Sequence, residues 1–300
     1  MLDRESTFAH KEIVTLLKTK FVPVAIDQAY QRRQKDSEGQ FYRKIAGQGP
    51  RNNFQGTTQG FYIAQPDGKL LLYNNNRDPD KVARLMREKL RAFESGPAKR
   101  VKTEQIKRES EDPRYNPKPP KGGLVLRVHA KVLSGYQPTD NKWRAIFQSA
   151  ISRDNMWISK AEHQALIRGE VPLALQKRLA RYHLVDNTRG EPPMWSEKEI
   201  RKLNFTLKDG KLSGRVLLKT NGNERGYEAD VLGFVETKKG KIVRFDVVVL
   251  GDFWGEGTFT RGAPKGRFPL AVTFSLADGT DVADAIPPQG SRGWVPGYLR

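Results

Sequence analysis

The sequence predicts two folded units: an α/β unit at the N-terminus and an α+β unit, predominantly antiparallel β, at the C-terminus. Three observations support this prediction. Helical and strand patterns alternate over residues 1–95, a stretch rich in proline and charge follows, and from about residue 200 the apolar residues recur every second position. We therefore assign residues 1–95 to the first unit, 96–123 to a linker and 124–300 to the second, each unit being large enough to bury a core.

Composition restricts the chemistry available to the chain. It has no cysteine, which excludes disulfides, thiolate metal sites and thiol catalysis. Its 53 Lys and Arg against 34 Asp and Glu give a net charge of +19. A positive charge of this size attracts nucleic acid, acidic polysaccharide and anionic lipid surfaces. The alternative interpretation is that the charge serves only to keep the protein in solution.

The sequence leaves the cellular location open. No apolar run is long enough to cross a bilayer, so we predict no transmembrane segment. The first ten residues, MLDRESTFAH, lack the apolar core of a signal peptide. A cytoplasmic protein and an exported one with its signal removed are both compatible with this start.

The first unit is predicted to contain three helices and three strands, one of the helices ending at residues 41–45 before Gly47. Residues 13–17 have helical spacing and lead into FVPVAID at 21–27, an apolar run typical of a buried strand. The turn sequence QPDG at 65–68 joins two apolar runs and predicts a β-hairpin. Asp78 is expected to cap a helix that begins at Pro79.

This order of elements resembles the thioredoxin-like fold family over residues 1–95. The resemblance lies in the segments ESTFAHKEIVTLLKTKFVPVAID, FYIAQPDGKLLLY and DPDKVARLMREKL, which look like the family's first helix and strand, its central hairpin and its last helix. The family's oxidoreductases carry Cys-x-x-Cys and a cis-proline before the hairpin, whereas this chain has no cysteine and places Thr58-Gln59 there. The resemblance therefore implies a redox-silent domain used for binding or packing. The alternative is a chain cut so that an N-terminal strand and the motif are absent.

The second unit is predicted to hold a curved sheet or partial barrel with two helices to one side. A strand is expected over 124–136, and helices after Ser159 and from Pro172. Strands near 201–208, 212–219, 227–236 and 241–250 are joined by two-residue turns, which predict an antiparallel meander. Residues 141–159 carry many apolar side chains and fit no single element. A glycine-rich turn, GDFWGEG at 251–257, follows the last strand of the meander.

Two loops carry the candidate functional residues. The loop after residue 182 and the turn after residue 250 gather ionisable and aromatic side chains with little apolar periodicity. The catalytic candidates are His183, Asp252 and Glu256, and the ligand-binding candidates are Asp186, Arg189, Glu191, Trp195, Trp254 and Arg261.

If the two loops are adjacent, His183 serves as general base and an arginine holds an anionic group. The same imidazole with Asp252 and Glu256 suits a divalent metal, which stays an open alternative, although no cofactor is predicted. The competing interpretation is structural: a capping histidine, carboxylates that bind backbone amides, and tryptophans that fill the core. No metalloprotease, serine-hydrolase or P-loop motif is present.

The leading functional hypothesis is a redox-silent thioredoxin-like binding or scaffolding protein with a basic surface for an anionic or protein partner. Two alternatives stay open. One is a hydrolase that uses the acidic and histidine residues of the second unit. The other is a nucleic-acid-binding protein, which depends on charge alone because no known RNA or DNA module is recognisable.

Overall fold

The computed structural model describes residues 6–96 and 112–300 of the chain. The described residues divide into two compact units, 6–96 with 112–117 and 292–294, and 118–291 with 295–300. Residues 97–111, most of the predicted linker, lie outside the described part. No helix among the described residues has the length and apolarity that crossing a membrane requires.

The first unit packs short helices against a β-hairpin. Its helices are α1 (Lys11–Thr19), α2 (Gln28–Gln31), α3 (Ser37–Ala46) and α4 (Pro79–Glu94), and its strands are β1 (Phe61–Ala64) and β2 (Leu70–Asn74). The strands pair antiparallel across the predicted QPDG turn, which confirms the hairpin. The side chain of Asp78 accepts a hydrogen bond from Lys81 N at 3.0 Å, so the predicted cap is also confirmed. A small core of Ile13, Val82, Ala83 and Met86 joins α1 to α4.

The predicted strand at residues 21–27 is wrong. This segment has no regular secondary structure, and Val22 and Val24 are 90% and 70% exposed. A run of apolar residues forms a buried strand only where neighbouring strands supply backbone partners, and β1 and β2 form a sheet of two strands without it. Pro23 additionally removes one backbone donor.

The second unit is built on one antiparallel sheet. Its strands are β3 (Leu124–Val132), β4 (Asp154–Ile158), β5 (Ile200–Lys208), β6 (Lys211–Lys219), β7 (Gly226–Lys238), β8 (Lys241–Trp254) and β9 (Arg267–Leu276). Its helices are α5 (Lys142–Ser149), α6 (Lys160–Ile167), α7 (Leu173–His183) and α8 (Val295–Tyr298). The seven strands lie in the order β4-β3-β9-β8-β7-β6-β5. The helices and antiparallel strands agree with the predicted α+β class, and α5 and β4 occupy the stretch that the pattern left unassigned.

The predicted meander is confirmed from β5 to β8, with two corrections: residues 220–225 form a six-residue connection where a two-residue turn at Asn221-Gly222 was expected, and the end of β8 differs. Asp209-Gly210 and Lys239-Gly240 form the tight turns that precede β6 and β8. The predicted glycine-rich turn at 251–257 starts four residues too early, because β8 continues to Trp254. A Cβ on Gly251 would lie 2.0 Å from Glu228 O, so this glycine permits close packing inside the sheet rather than a turn.

Helix α7 lies against both edge strands of the curled sheet. It contacts β5 at one edge and β4 at the other. Gln176 Oε1 accepts a hydrogen bond from Phe205 N of β5 at 3.1 Å, and His183 lies 3.2 Å from Asp154 of β4. The helix thus closes the gap of a partial barrel and satisfies an edge donor that would otherwise be buried without a partner. The predicted cap of the preceding helix is confirmed, since Ser159 forms a capping box with Glu162 at the start of α6.

Candidate functional site

His183 lies in the interior of the second unit, with a hydrogen bond at Nε2 and a carboxylate close to Nδ1. Nδ1 is 3.2 Å from Asp154 Oδ2, and Nε2 is 2.7 Å from Tyr298 Oη. The histidine is 2% exposed and Tyr298 is equally buried, and burial raises the pKa of the Tyr298 phenol. The three side chains connect the end of α7 to β4 and to α8, which favours a structural role for His183.

Asp186 and Arg189 form a buried pair that connects the two predicted loops. Arg189 Nη2 lies 2.6 Å from Asp186 Oδ2, and its Nε donates to Thr260 O at 3.0 Å. Arg189 Nη1 donates to Tyr136 Oη at 2.6 Å. Asp186 Oδ1 also accepts from the backbone and the hydroxyl of Thr188. The loops are therefore adjacent, as the hypothesis of a shared site requires, but the arginine is committed to holding them together.

The remaining charged candidates lie at the surface, each in its own setting. Asp252 stands in β8, 3.8 Å from Arg267 Nη1. Glu256 Oε2 accepts hydrogen bonds from the amides of Gly262 and Ala263, at 2.8 and 3.1 Å, and so closes its loop. Glu191 and Arg261 are exposed.

The two candidate tryptophans are buried and their rings are covered by arginines. Trp195 is 1% exposed, donates from Nε1 to Leu184 O, and has the Arg225 guanidinium 3.7 Å above its ring. Burial lowers the pKa of Arg225 to about 10. Trp254 is 7% exposed with Arg267 at 4.3 Å. They fill the structure rather than offering a free face to a ligand.

The residues proposed for one catalytic site are not joined by contacts. His183 is engaged with Asp154 and Tyr298, whereas Asp252 and Glu256 have the partners given above. A general base must come within hydrogen-bond reach of the substrate, whereas this imidazole is 2% exposed. Among the described residues, no group of three or more His, Asp or Glu is arranged to hold a metal ion. The structure therefore does not bring His183, Asp252 and Glu256 together in one site.

A groove of about 380 Å³ lies beside the start of β3 and the end of β9. Asp281 and Asp284 line it, together with apolar residues such as Val125 and Leu276. Arg127 donates to both oxygens of Asp284, at 2.9 and 2.8 Å, and Arg153 donates to it at 2.6 Å. The Arg127 hydrogen bonds hold the pKa of Asp284 below its usual value. The carboxylate is thus compensated inside the protein, which favours a structural role.

A cluster of lysines stands at the tips of two neighbouring hairpins. Lys208 lies directly opposite Lys211 across the β5–β6 turn, and Lys238 lies opposite Lys241 across the β7–β8 turn. Lys239 occupies the second turn itself. Val235 N donates to Gly210 O at 2.8 Å, which places the first turn against β7, a few residues before the second. We call these five residues the tip lysines.

The positions of the tip lysines are unfavourable for hairpin stability. Like charges directly opposite each other destabilise a strand pair. All five are exposed, and none forms an ion pair with a described residue. Lys239 adopts φ 51, a left-handed conformation that favours Asn, Asp or Gly, and the corresponding position of the other hairpin is Asp209 at φ 50. The arrangement concentrates positive charge at a local cost in stability.

The tip lysines were not predicted, although the sequence carries a signal for them. A two-residue turn fixes the register of a hairpin, so the residues that flank Asp209-Gly210 and Lys239-Gly240 must face each other. In both cases the flanking residues are lysines. Treating the +19 charge as spread along the chain concealed the pairing.

Comparisons with protein-family models, with curated proteins and with solved structures find no match to this chain.

Proposed function

We propose that the chain is a non-catalytic binding protein that engages an anionic polymer through the tip lysines of its second unit. The observation that carries this proposal is the pair of lysine–lysine cross-strand contacts, Lys208 with Lys211 and Lys238 with Lys241, on adjacent hairpins. Positive side chains held face to face without ion-pair partners are stabilised when an anionic partner binds between them.

The spacing of the cluster favours a partner with repeated charges. Lys211 is paired with Phe234, four residues before Lys238 along β7. At the rise of a β-strand the two lysine pairs are therefore roughly 13 Å apart. A single phosphate cannot contact both pairs, whereas a nucleic acid or an acidic polysaccharide presents several negative groups over that distance.

The first unit is proposed to be a redox-silent thioredoxin-like domain that serves binding or packing. Its support is the resemblance in helix, hairpin and helix, together with a cysteine-free sequence that has no thiol chemistry to offer. The hydrolase hypothesis has less support, because His183 is buried and, among the described residues, its polar contacts include neither Asp252 nor Glu256.

The test is a binding titration with a DNA duplex, a single strand and heparin at low salt. Two variants of equal net charge are compared: the tip lysines all replaced by glutamine, and a control in which Lys11, Lys18, Lys69, Lys81 and Lys198 are replaced by glutamine, all five being exposed. The proposal expects the first variant to lose affinity for the best of the three polymers at least tenfold more than the control. Equal losses, or no binding by the parent protein, would contradict it.

A further inference from the structure

Helix α5 leaves an apolar side half exposed. The helix is properly formed, since Asn141 Oδ1 accepts from the amides of Trp143 and Arg144, at 3.0 and 3.1 Å. It carries Trp143, Ile146 and Phe147, yet none of its residues is buried. An amphipathic helix normally covers its apolar stripe, so an uncovered one indicates a surface that meets something else.

The loop between β8 and β9, which approaches this helix at Gly262, holds a phenylalanine out into solvent. Phe259 is 72% exposed. The residues around it are fixed: Thr260 is 3% exposed, and its amide donates to Gly257 O at 3.0 Å while its hydroxyl accepts from Gly257 N at 2.8 Å. A Cβ on Gly190 would lie 2.1 Å from Phe259 O, so the backbone below the ring is packed as well. The loop is rigid and its one large apolar side chain points outward, which pre-organises it for contact.

The loop and the helix form one continuous surface. A Cβ on Gly262 would lie 3.0 Å from Phe147 Cε2, so the backbone of the loop approaches the helix closely. The Phe147 ring also packs at 6.5 Å from Tyr136, whose hydroxyl accepts from Arg189 under the same loop. We call the aromatic residues Trp143, Phe147 and Phe259, with the basic residues Arg144, Arg261 and Lys265, the α5–Phe259 surface.

This surface carries three cations that form no ion pair with a described residue. They are Arg144, Arg261 and Lys265, and all three are exposed. Glu256 accepts from two amides of its own loop, Asp140 is exposed beside the start of α5, and Glu191 is exposed next to Gly190. The helix and the loop thus present aromatic rings together with three cations.

We propose that the α5–Phe259 surface binds to an anionic phospholipid bilayer. Phe259 and Trp143 enter the headgroup and acyl boundary, and Arg144, Arg261 and Lys265 contact lipid phosphates. Aromatic rings flanked by arginine and lysine are typical of interfacial anchors, and each cation near an anionic leaflet adds attraction. A bilayer is fluid and can accommodate separate aromatic rings, whereas a protein partner would need a matching pocket for each ring. The surface lies at the far end of β8 from the tip lysines, so the inference goes beyond the proposed polymer binding.

The first experiment is co-sedimentation with vesicles of phosphatidylcholine alone and of phosphatidylcholine with phosphatidylserine. Phe259→Ala is expected to lower the partition coefficient on the mixed vesicles about tenfold, and Arg144, Arg261 and Lys265→Gln together about a hundredfold. Phe234→Ala removes a ring that is 51% exposed elsewhere in the second unit, and it should leave binding unchanged. A second control replaces Lys18, Lys69 and Lys81 of the first unit by glutamine, which removes the same three charges as the triple variant of the surface.

The second experiment identifies which surface meets the lipid. Because the chain has no cysteine, Thr258→Cys and Lys239→Cys each give one labelling site for a nitroxide. On mixed vesicles the label at residue 258 is expected to become more accessible to oxygen than to a water-soluble nickel complex, and the label at 239 is not. No vesicle binding, equal effects of Phe259→Ala and Phe234→Ala, or immersion of the label at 239 alone would overturn the inference. The heparin and DNA titrations decide the polymer proposal independently.

Discussion

Lys238 and Lys241 face each other across the last pair of the β7–β8 hairpin, and Lys239 lies in the turn between them with φ 51. Three adjacent positive charges thus close a hairpin that would be more stable with Asn or Asp in the turn. Surface residues that lower the stability of the fold are often residues that serve binding.

Replacing Lys239 should separate stability from binding. Asn tolerates the left-handed conformation better than Lys, so Lys239→Asn is expected to raise the free energy of unfolding by about 0.5 kcal/mol. It should also weaken binding of the anionic polymer about threefold, because one contact is lost. Urea unfolding and a binding titration measure the two effects.

Asp209→Asn is the matched control in the neighbouring turn. It removes a negative charge beside the tip lysines without creating strain, so polymer affinity should rise slightly while stability changes by less than about 0.5 kcal/mol. Tighter binding by Lys239→Asn would contradict the role given to the tip lysines.

The two arginines first considered as ligand-binding should behave differently. Arg189→Ala leaves the buried Asp186 carboxylate without its partner, and we expect the free energy of unfolding to fall by about 3–5 kcal/mol. Arg261→Ala removes an exposed side chain of the adjacent loop and should change it by less than about 0.5 kcal/mol. Chemical denaturation checks both, and a small effect of Arg189→Ala would return that residue to the candidates for ligand binding.

The segment at 21–27 provides a test of the structural correction. Val22→Ser and Val24→Ser should each change the free energy of unfolding by less than about 0.5 kcal/mol, since both side chains are exposed. If the segment were the buried strand that its sequence suggests, each replacement would cost about 2 kcal/mol or more. Urea unfolding of the two variants distinguishes these outcomes.

Acid should weaken the second unit through Asp284. Hydrogen bonds from Arg127 hold the folded pKa of this carboxyl below its ordinary value. A depressed folded pKa contributes stability that is complete above the unfolded pKa and is lost as the pH falls through the folded pKa. The difference in unfolding free energy between parent and Asp284→Asn should therefore be about 3 kcal/mol at pH 7 and should shrink as the pH falls below 4. A constant difference across that range would argue against the assignment.

The local features of the fold were predictable because their causes are local. The turns at Asp209 and Lys239 and the caps at Asp78 and Ser159 depend on residues within a few positions of each other. The partners of His183 were not predictable, since Asp154 and Tyr298 are brought to it by β4 and by the C-terminal helix. A pattern of apolar residues likewise could not show that residues 21–27 have no neighbouring strand.

In the candidate site, too, some features follow from local sequence and others depend on tertiary packing. The tip lysines follow from hairpin register and could have been found in the sequence, whereas the adjacency of α5 and Phe259 depends on tertiary packing. The burial of Trp195 and Trp254 under Arg225 and Arg267 also depends on residues far away in the chain.

The most direct test of the account is the salt dependence of polymer binding. The logarithm of the association constant for a DNA duplex should fall linearly with the logarithm of salt concentration, and replacing the five tip lysines by glutamine should reduce that slope by about 4. Between about 50 and 200 mM salt the parent protein should lose roughly several hundredfold in affinity through these contacts. An unchanged slope in the variant would show that the polymer binds elsewhere, and would contradict the central claim.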